Sequence, residues 1–179
     1  MIRTIEKRLA QHGLYDMVVL DSVINATTSL DYQHWVLTAV NALCAADGTV
    51  CIGTRNLLAE QAFENSQHST SRESSRLTFL DGENVDMRFM QGKWMRIRFH
   101  TPESLAELLE AYFGEVTVAG RSNATLRAVC KKPLRLSDLD YEKALDEEFN
   151  MPYPNEFRHG RHKQLTENLV KLVKGREAP

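Results

Sequence analysis

Two short stretches set polar side chains directly after apolar runs. In YDMVVLDS, residues 15–22, the run Met17–Leu20 leads into Asp21 and Ser22, with Asn25 close behind. In TVCIGTRN, residues 49–56, a second apolar run leads into Thr54, Arg55 and Asn56. Ligands of open α/β sheets lie outside the carboxyl ends of the strands, so both stretches are candidate sites. Asp21 is the candidate catalytic group, because a carboxylate there can take a proton or hold a cation. Ser22, Asn25, Thr54 and Asn56 are candidates to touch a bound molecule; Arg55 reads as a solvated surface residue. Asp21 and Ser22 could equally cap the loop that follows.

Other chemistries lack their residues. Cys44, Cys51 and Cys130 are far apart, odd in number and set among apolar neighbours, so buried free thiols in a reducing compartment are expected. No cluster has metal-ligand spacing, and the six histidines read as surface groups. No P-loop and no Ser/His/Asp or Cys/His pattern can be placed. With 22 basic and 24 acidic side chains and a formal net charge of −2, nothing calls for nucleic acid or anionic lipid. Trp94 beside Arg96 and Arg98 reads as a half-buried strand with solvated arginines. The charged N-terminus has no signal core, and no run reaches the roughly 18 apolar residues of a membrane span. The expectation is a soluble, cytoplasmic protein.

The elements that must position these residues follow from periodicity. Ile2, Ile5 and Leu9 give a helix over 2–12, closed by Gly13. Residues 16–21 and 49–54 are apolar without alternation, as in strands covered on both faces. Between them a helix is expected from Asp31 to Ala45, then a turn at Ala46-Asp47-Gly48. Further expectations are a short helix over 57–63, a polar loop over 64–75, and strands at 77–80, 86–90 and 93–100. Thr101-Pro102-Glu103 starts a helix expected to reach about Phe113, with Gly114 ending it. Residues 116–120 and 125–130 read as antiparallel strands. Two regions result: an α/β domain over 1–133, then a helical tail over 134–179. The tail comprises an acidic helix, a Pro-containing linker and an amphipathic helix. Its stripe of Leu165, Leu169, Leu172 and Val173 is expected to pack on the domain or a partner.

In this order the chain resembles the class I S-adenosylmethionine-dependent methyltransferases, in their C-terminal half. YDMVVLDSVIN is similar to the family's fourth strand, which ends on an acidic or polar residue. HWVLTAVNALCAADGTVCIGTRN is similar to the following helix, turn and fifth strand. WMRIRFHTPESLAELLEAYFGEVTVAGRSNATLRAVCKKP resembles the late segment, where a helix leads into the last two, antiparallel strands. The resemblance implies a truncated Rossmann-like sheet of about four mixed strands with flanking helices and a helical C-terminal tail. It implies S-adenosylmethionine as cofactor and Asp21 as base. It also puts Ser22, Asn25, Thr54 and Asn56 at the substrate or at the cofactor's methionine end. The family's glycine-rich turn and its ribose-binding acid have no counterpart here. Binding of the cofactor by the isolated chain is therefore not expected.

The family's sheet order, 3-2-1-4-5-7-6, pairs the fourth strand with the first. Met17–Leu20 is accordingly expected to be an edge, apolar on both faces. Three covers are expected for it: the same strand of a second copy in a homodimer, a separate cofactor-binding chain, or the tail helices. The implied function is a methyltransferase-like protein that retains the substrate-side half and needs a second chain for the cofactor. The alternative is a non-catalytic interaction module or remnant working through the edge strand.

Overall fold

A computed structural model describes residues 2–64, 77–80, 85–90, 93–150 and 162–176. A helix, α1 (Ile2–His12), precedes strand β1 (Tyr15–Asp21), which ends in a single 3₁₀ turn, Ile24–Ala26. Helix α2 (Leu30–Leu43) crosses to β2 (Cys44–Arg55), which pairs parallel with β1. After α3 (Leu57–Glu64), three strands form a small antiparallel sheet: β3 (Leu77–Phe79), β4 (Val85–Met90) and β5 (Lys93–Arg98). Helix α4 (Pro102–Glu110), β6 (Phe113–Ala119) and β7 (Thr125–Pro133) follow, then α5 (Asp138–Asn150) and α6 (Lys163–Lys174).

The main sheet has the order β1-β2-β7-β6, with β7 antiparallel to both neighbours. This is the mixed four-stranded arrangement expected for strands four, five, seven and six. One face is covered by α2 and α4. There Val50, Ile52, Ala128 and Cys130 pack with Leu37, Val40, Leu105 and Leu109. Val18 and Leu20 of β1 join that core from the edge. Among the described residues nothing packs over the opposite face. Along it Val19, Cys51, Val129 and Thr117 form one row across the four strands. Met17 is 63% exposed, Val19 64% and Val129 43%.

Among the described residues β1 has a neighbouring strand on one side only, and only one of its faces is open. The tail helices are not its cover. α5 and α6 instead form a second core with α1 and the back of α2, through Leu9, Ala39, Ala42, Tyr141, Leu145, Leu165, Leu169 and Val173. A polar knot ties the tail down: the Tyr141 hydroxyl donates to Asn41 Oδ1 at 2.8 Å. The Arg176 guanidinium donates to the carbonyls of Asn41 (2.7 Å), Cys44 (3.1 Å) and Leu134 (3.1 Å).

Several boundaries differ from the sequence reading, two of them for a reason set by pairing. The expected turn at 46–48 lies inside β2. Tyr15 pairs with Cys44 and Met17 with Thr49, so residues 45–48 bulge opposite Asp16. A Cβ on Gly48 would come within 2.8 Å of Cys44 Sγ and 2.9 Å of the Tyr15 carbonyl, so glycine marks the bulge, not a turn. The second difference is α4, which stops at Glu110 because the next residues join the sheet. Phe113 pairs with Pro133, and the Tyr112 carbonyl accepts from Leu134 N at 2.9 Å. Its start is as expected: Thr101 and Ser104 exchange side-chain and backbone hydrogen bonds at 3.0 Å, a capping box. Of the loop expected over 64–75, Glu64 instead closes α3, and the rest, with the linker over 151–160 and the Trp94 side chain, lies outside the described residues. Among the described residues no helix is long and apolar enough to cross a membrane.

Candidate functional site

At the carboxyl end of β1 the chain turns sharply. Ser22 has φ 60, in the left-handed region that non-glycine residues enter at a cost of about 1 kcal/mol. Its N–H donates to the Gly53 carbonyl at 2.9 Å and its hydroxyl to Asp21 Oδ1 at 3.3 Å. Asp21 pairs with Gly53 on the bare face. A Cβ on residue 53 would meet Asp21 Oδ1 at 2.1 Å, so the carboxylate rests where any other side chain would stand. Both Asp21 and Ser22 are exposed.

The remaining candidates divide between the two faces. Thr54, one residue beyond Gly53, points into the covered side and is 1% exposed; its hydroxyl has no hydrogen-bond partner. Asn25 lies in the 3₁₀ turn, half-buried, with Oδ1 also unpartnered. The turn is pinned from α2, where Gln33 Nε2 donates to the Ile24 carbonyl (3.3 Å) and the Thr27 carbonyl (2.8 Å). Asn56 is fully buried and its amide is spent. Nδ2 donates to the carbonyls of Gly120 (3.3 Å), Arg121 (2.9 Å) and Asn123 (2.7 Å), and Oδ1 accepts from Leu58 N at 3.1 Å. It clamps the β6–β7 turn to the start of α3. Arg55 is exposed and pairs with Glu60 at 3.7 Å. Asp21 and Ser22 are thus brought together on the bare face, while Thr54 and Asn56 lie on the other.

Among the described histidines, His100 departs furthest from the expected surface role. His100 is only 4% exposed and forms a parallel bridge with Asn56. Its N–H donates to the Arg55 carbonyl (3.2 Å) and its carbonyl accepts from Leu57 N (2.8 Å). The segment after β5 thereby takes the place beside β2 that β1 leaves at Asp21. Burial, helped by the charge of Arg98, pushes the imidazole down to about 4, and Nε2 has no partner. No spacing in the sequence marks His100. The isolated glycine in an apolar run was the one available sign of the Asp21–Gly53 contact.

Three fold-level observations can be set beside known proteins: the strand order, the bare face and the acidic end of β1. No protein-family model and no curated protein sequence matches the chain. Solved structures do. The PH0226 protein from Pyrococcus horikoshii OT3 is 13% identical with a TM-score of 0.50, over 68% of this chain and 55% of that one. A DhpI–SAH complex is 20% identical with a TM-score of 0.44, over 68% and 49%. An S-adenosylmethionine-dependent methyltransferase from Clostridium acetobutylicum ATCC 824 is 10% identical with a TM-score of 0.44, over 68% and 59%. The chain spans about half the length of the solved structures it matches. Over 68% of its length the chain shares the fold of the PH0226 protein, and at this identity the likeness shows the fold alone.

Proposed function

We propose that this chain is the substrate-side part of an S-adenosylmethionine-dependent methyltransferase-like assembly, in which a second chain holds the cofactor. The observation that carries the reading is the bare side of β1. The strand is an open edge, and the sheet face beside it exposes Met17 and Val19. An unpaired edge and an exposed apolar face at the same place call for a partner that supplies both a strand and a covering layer. Asp21, held over Gly53 at the carboxyl end of that edge, would then face the junction between the two chains.

The residues present do not fit the whole cofactor. The two glycines with positive φ among the described residues, Gly13 and Gly120, lie before β1 and between β6 and β7. Neither forms the strand-to-helix turn that would let backbone approach a nucleotide. In this reading Asp21 takes a proton from the acceptor, Ser22 holds the carboxylate's orientation and Asn25 lies nearer the acceptor, while Thr54, buried on the covered face, supports the strand end. Asn56 serves the scaffold. The proposed setting is the cytoplasm, and the proposed division of labour follows the two regions, 1–133 for the site and 134–179 for support.

Calorimetric titration tests the reading. The lone chain is expected to show no micromolar binding of S-adenosylmethionine. Binding is expected once a chain carrying a glycine-rich strand–turn–helix is added, the first candidate being any polypeptide encoded just upstream. Val19→Lys should block that complementation, and Asp21→Asn should leave it intact while abolishing methyl transfer. Micromolar binding by the lone chain would overturn the need for a second chain.

The unpaired backbone of β1 also supports a homodimer, with Met17–Leu20 pairing antiparallel across a two-fold axis. Such pairing satisfies the edge but leaves the Met17 and Val19 side chains on a bare face, which is why it ranks second. A non-catalytic interaction module would use the same edge. Light scattering separates these readings: a dimer without cofactor binding supports the second, and a monomer that binds neither cofactor nor partner removes both.

A further inference from the structure

Beside the 3₁₀ turn a cleft of about 410 Å³ opens between the loop into α2 and the end of α5. Thr27, Thr28 and Ser29 form one wall, Tyr32 and Val36 of α2 a second, and Glu148 of α5 the third. The volume is in the roughly 300–1,000 Å³ range of small-molecule sites. Trp35 meets the Tyr32 ring edge-on, with centroids 4.7 Å apart, and so fixes its orientation. Thr27 spends its hydroxyl on the Val23 carbonyl at 3.1 Å, whereas Ser29, the N-cap of α2, makes no side-chain cap bond.

Glu148 is the unusual group. It is half-buried, and burial alone raises its pKa. Among the described residues it has no hydrogen bond and no ion pair. A carboxylate withdrawn from water without a counter-ion is costly, and the occupant that relieves it most is a cation. The face of an aromatic ring attracts the same charge. Asp31, in the first turn of α2, meets the positive end of that helix, so the terminus does not turn the cleft towards anions.

We propose that this cleft binds a small amine, its ammonium group against Glu148 and Tyr32 and a hydrogen-bonding tail against Thr28 and Ser29. The site adjoins the carboxyl end of β1, where ligands of such sheets gather. It is independent of the methyl-transfer reading, because amine binding here needs neither cofactor nor second chain.

The test uses the full chain and three probes of matched size: ethanolamine, neutral ethylene glycol and anionic glycolate. Backbone amide shifts of Thr27–Ser29 and Tyr32 report occupancy. Ethanolamine is expected to give saturable shifts at millimolar concentration, ethylene glycol to bind at least tenfold more weakly, and glycolate not at all. Glu148→Gln should weaken ethanolamine about tenfold with an unchanged melting temperature, and Glu148→Asp should restore part of the loss. If Glu148→Gln disturbs the fold, Thr28→Val is the second variant, expected to weaken ethanolamine while leaving the preference for a cation. Equal shifts with all three probes, no saturation, or an unchanged affinity in Glu148→Gln each overturn the proposal.

Discussion

The contact between Asp21 and Gly53 is the most closely fitted feature of the candidate site. Gly53→Ala would place a methyl group 2.1 Å from Asp21 Oδ1, and the exposed carboxylate would have to swing away. The expected cost is modest, about 1 kcal/mol, and Asp21→Ala should relieve it in the double variant. Chemical denaturation of the four-member cycle measures that coupling. His100 carries a second, pH-linked prediction. Its folded imidazole titrates near about 4, against an ordinary 6.5 in the unfolded chain, so between those values the unfolded chain binds more protons. Stability is therefore full above pH 6.5 and falls as the pH drops towards 4, by on the order of 3 kcal/mol. His100→Gln should flatten that part of the profile; an unchanged slope would mean the imidazole is not buried.

Asn56 shows how elements are joined at the site. One amide satisfies three carbonyls of the β6–β7 turn and the first free N–H of α3. Asn56→Ala leaves those groups without partners and is expected to cost about 2–3 kcal/mol, read as a lower urea midpoint at unchanged slope. Much of the element order was legible in the sequence, because it is written in local signals. The apolar run at Met17–Leu20, the spacing of Leu105 and Leu109, and the Thr101-Pro102 start each act within a few residues. What was not legible depends on partners distant in the chain. Gly48 looks like a turn until Tyr15 pairs with Cys44 across the bulge. Phe113 looks helical until it meets Pro133. Asp21 and Ser22 could be singled out from position alone, but which sheet face each candidate joins is set by register. His100 is buried only because β5 delivers it to the strand end that β1 vacates.

At the scale of the molecule, α2 is a shared wall. Leu37 and Val40 face the sheet, while Ala39 and Ala42 face α5 and α6. The two cores should therefore melt together, as one calorimetric transition whose van't Hoff and calorimetric enthalpies agree. Tyr141→Phe removes a buried hydroxyl that joins Asn41 to the tail, and is expected to lower that single transition by about 1 kcal/mol without splitting it. Two separate transitions would mean that the tail is only loosely attached. The bare flank of β1 has a consequence beyond stability. On the proposed reading a partner sits against the open strand and the uncovered Met17 and Val19, so surplus copies left without it would clump or be degraded. The chain's level in a cell would then be set by the supply of whatever protects that flank rather than by its own synthesis.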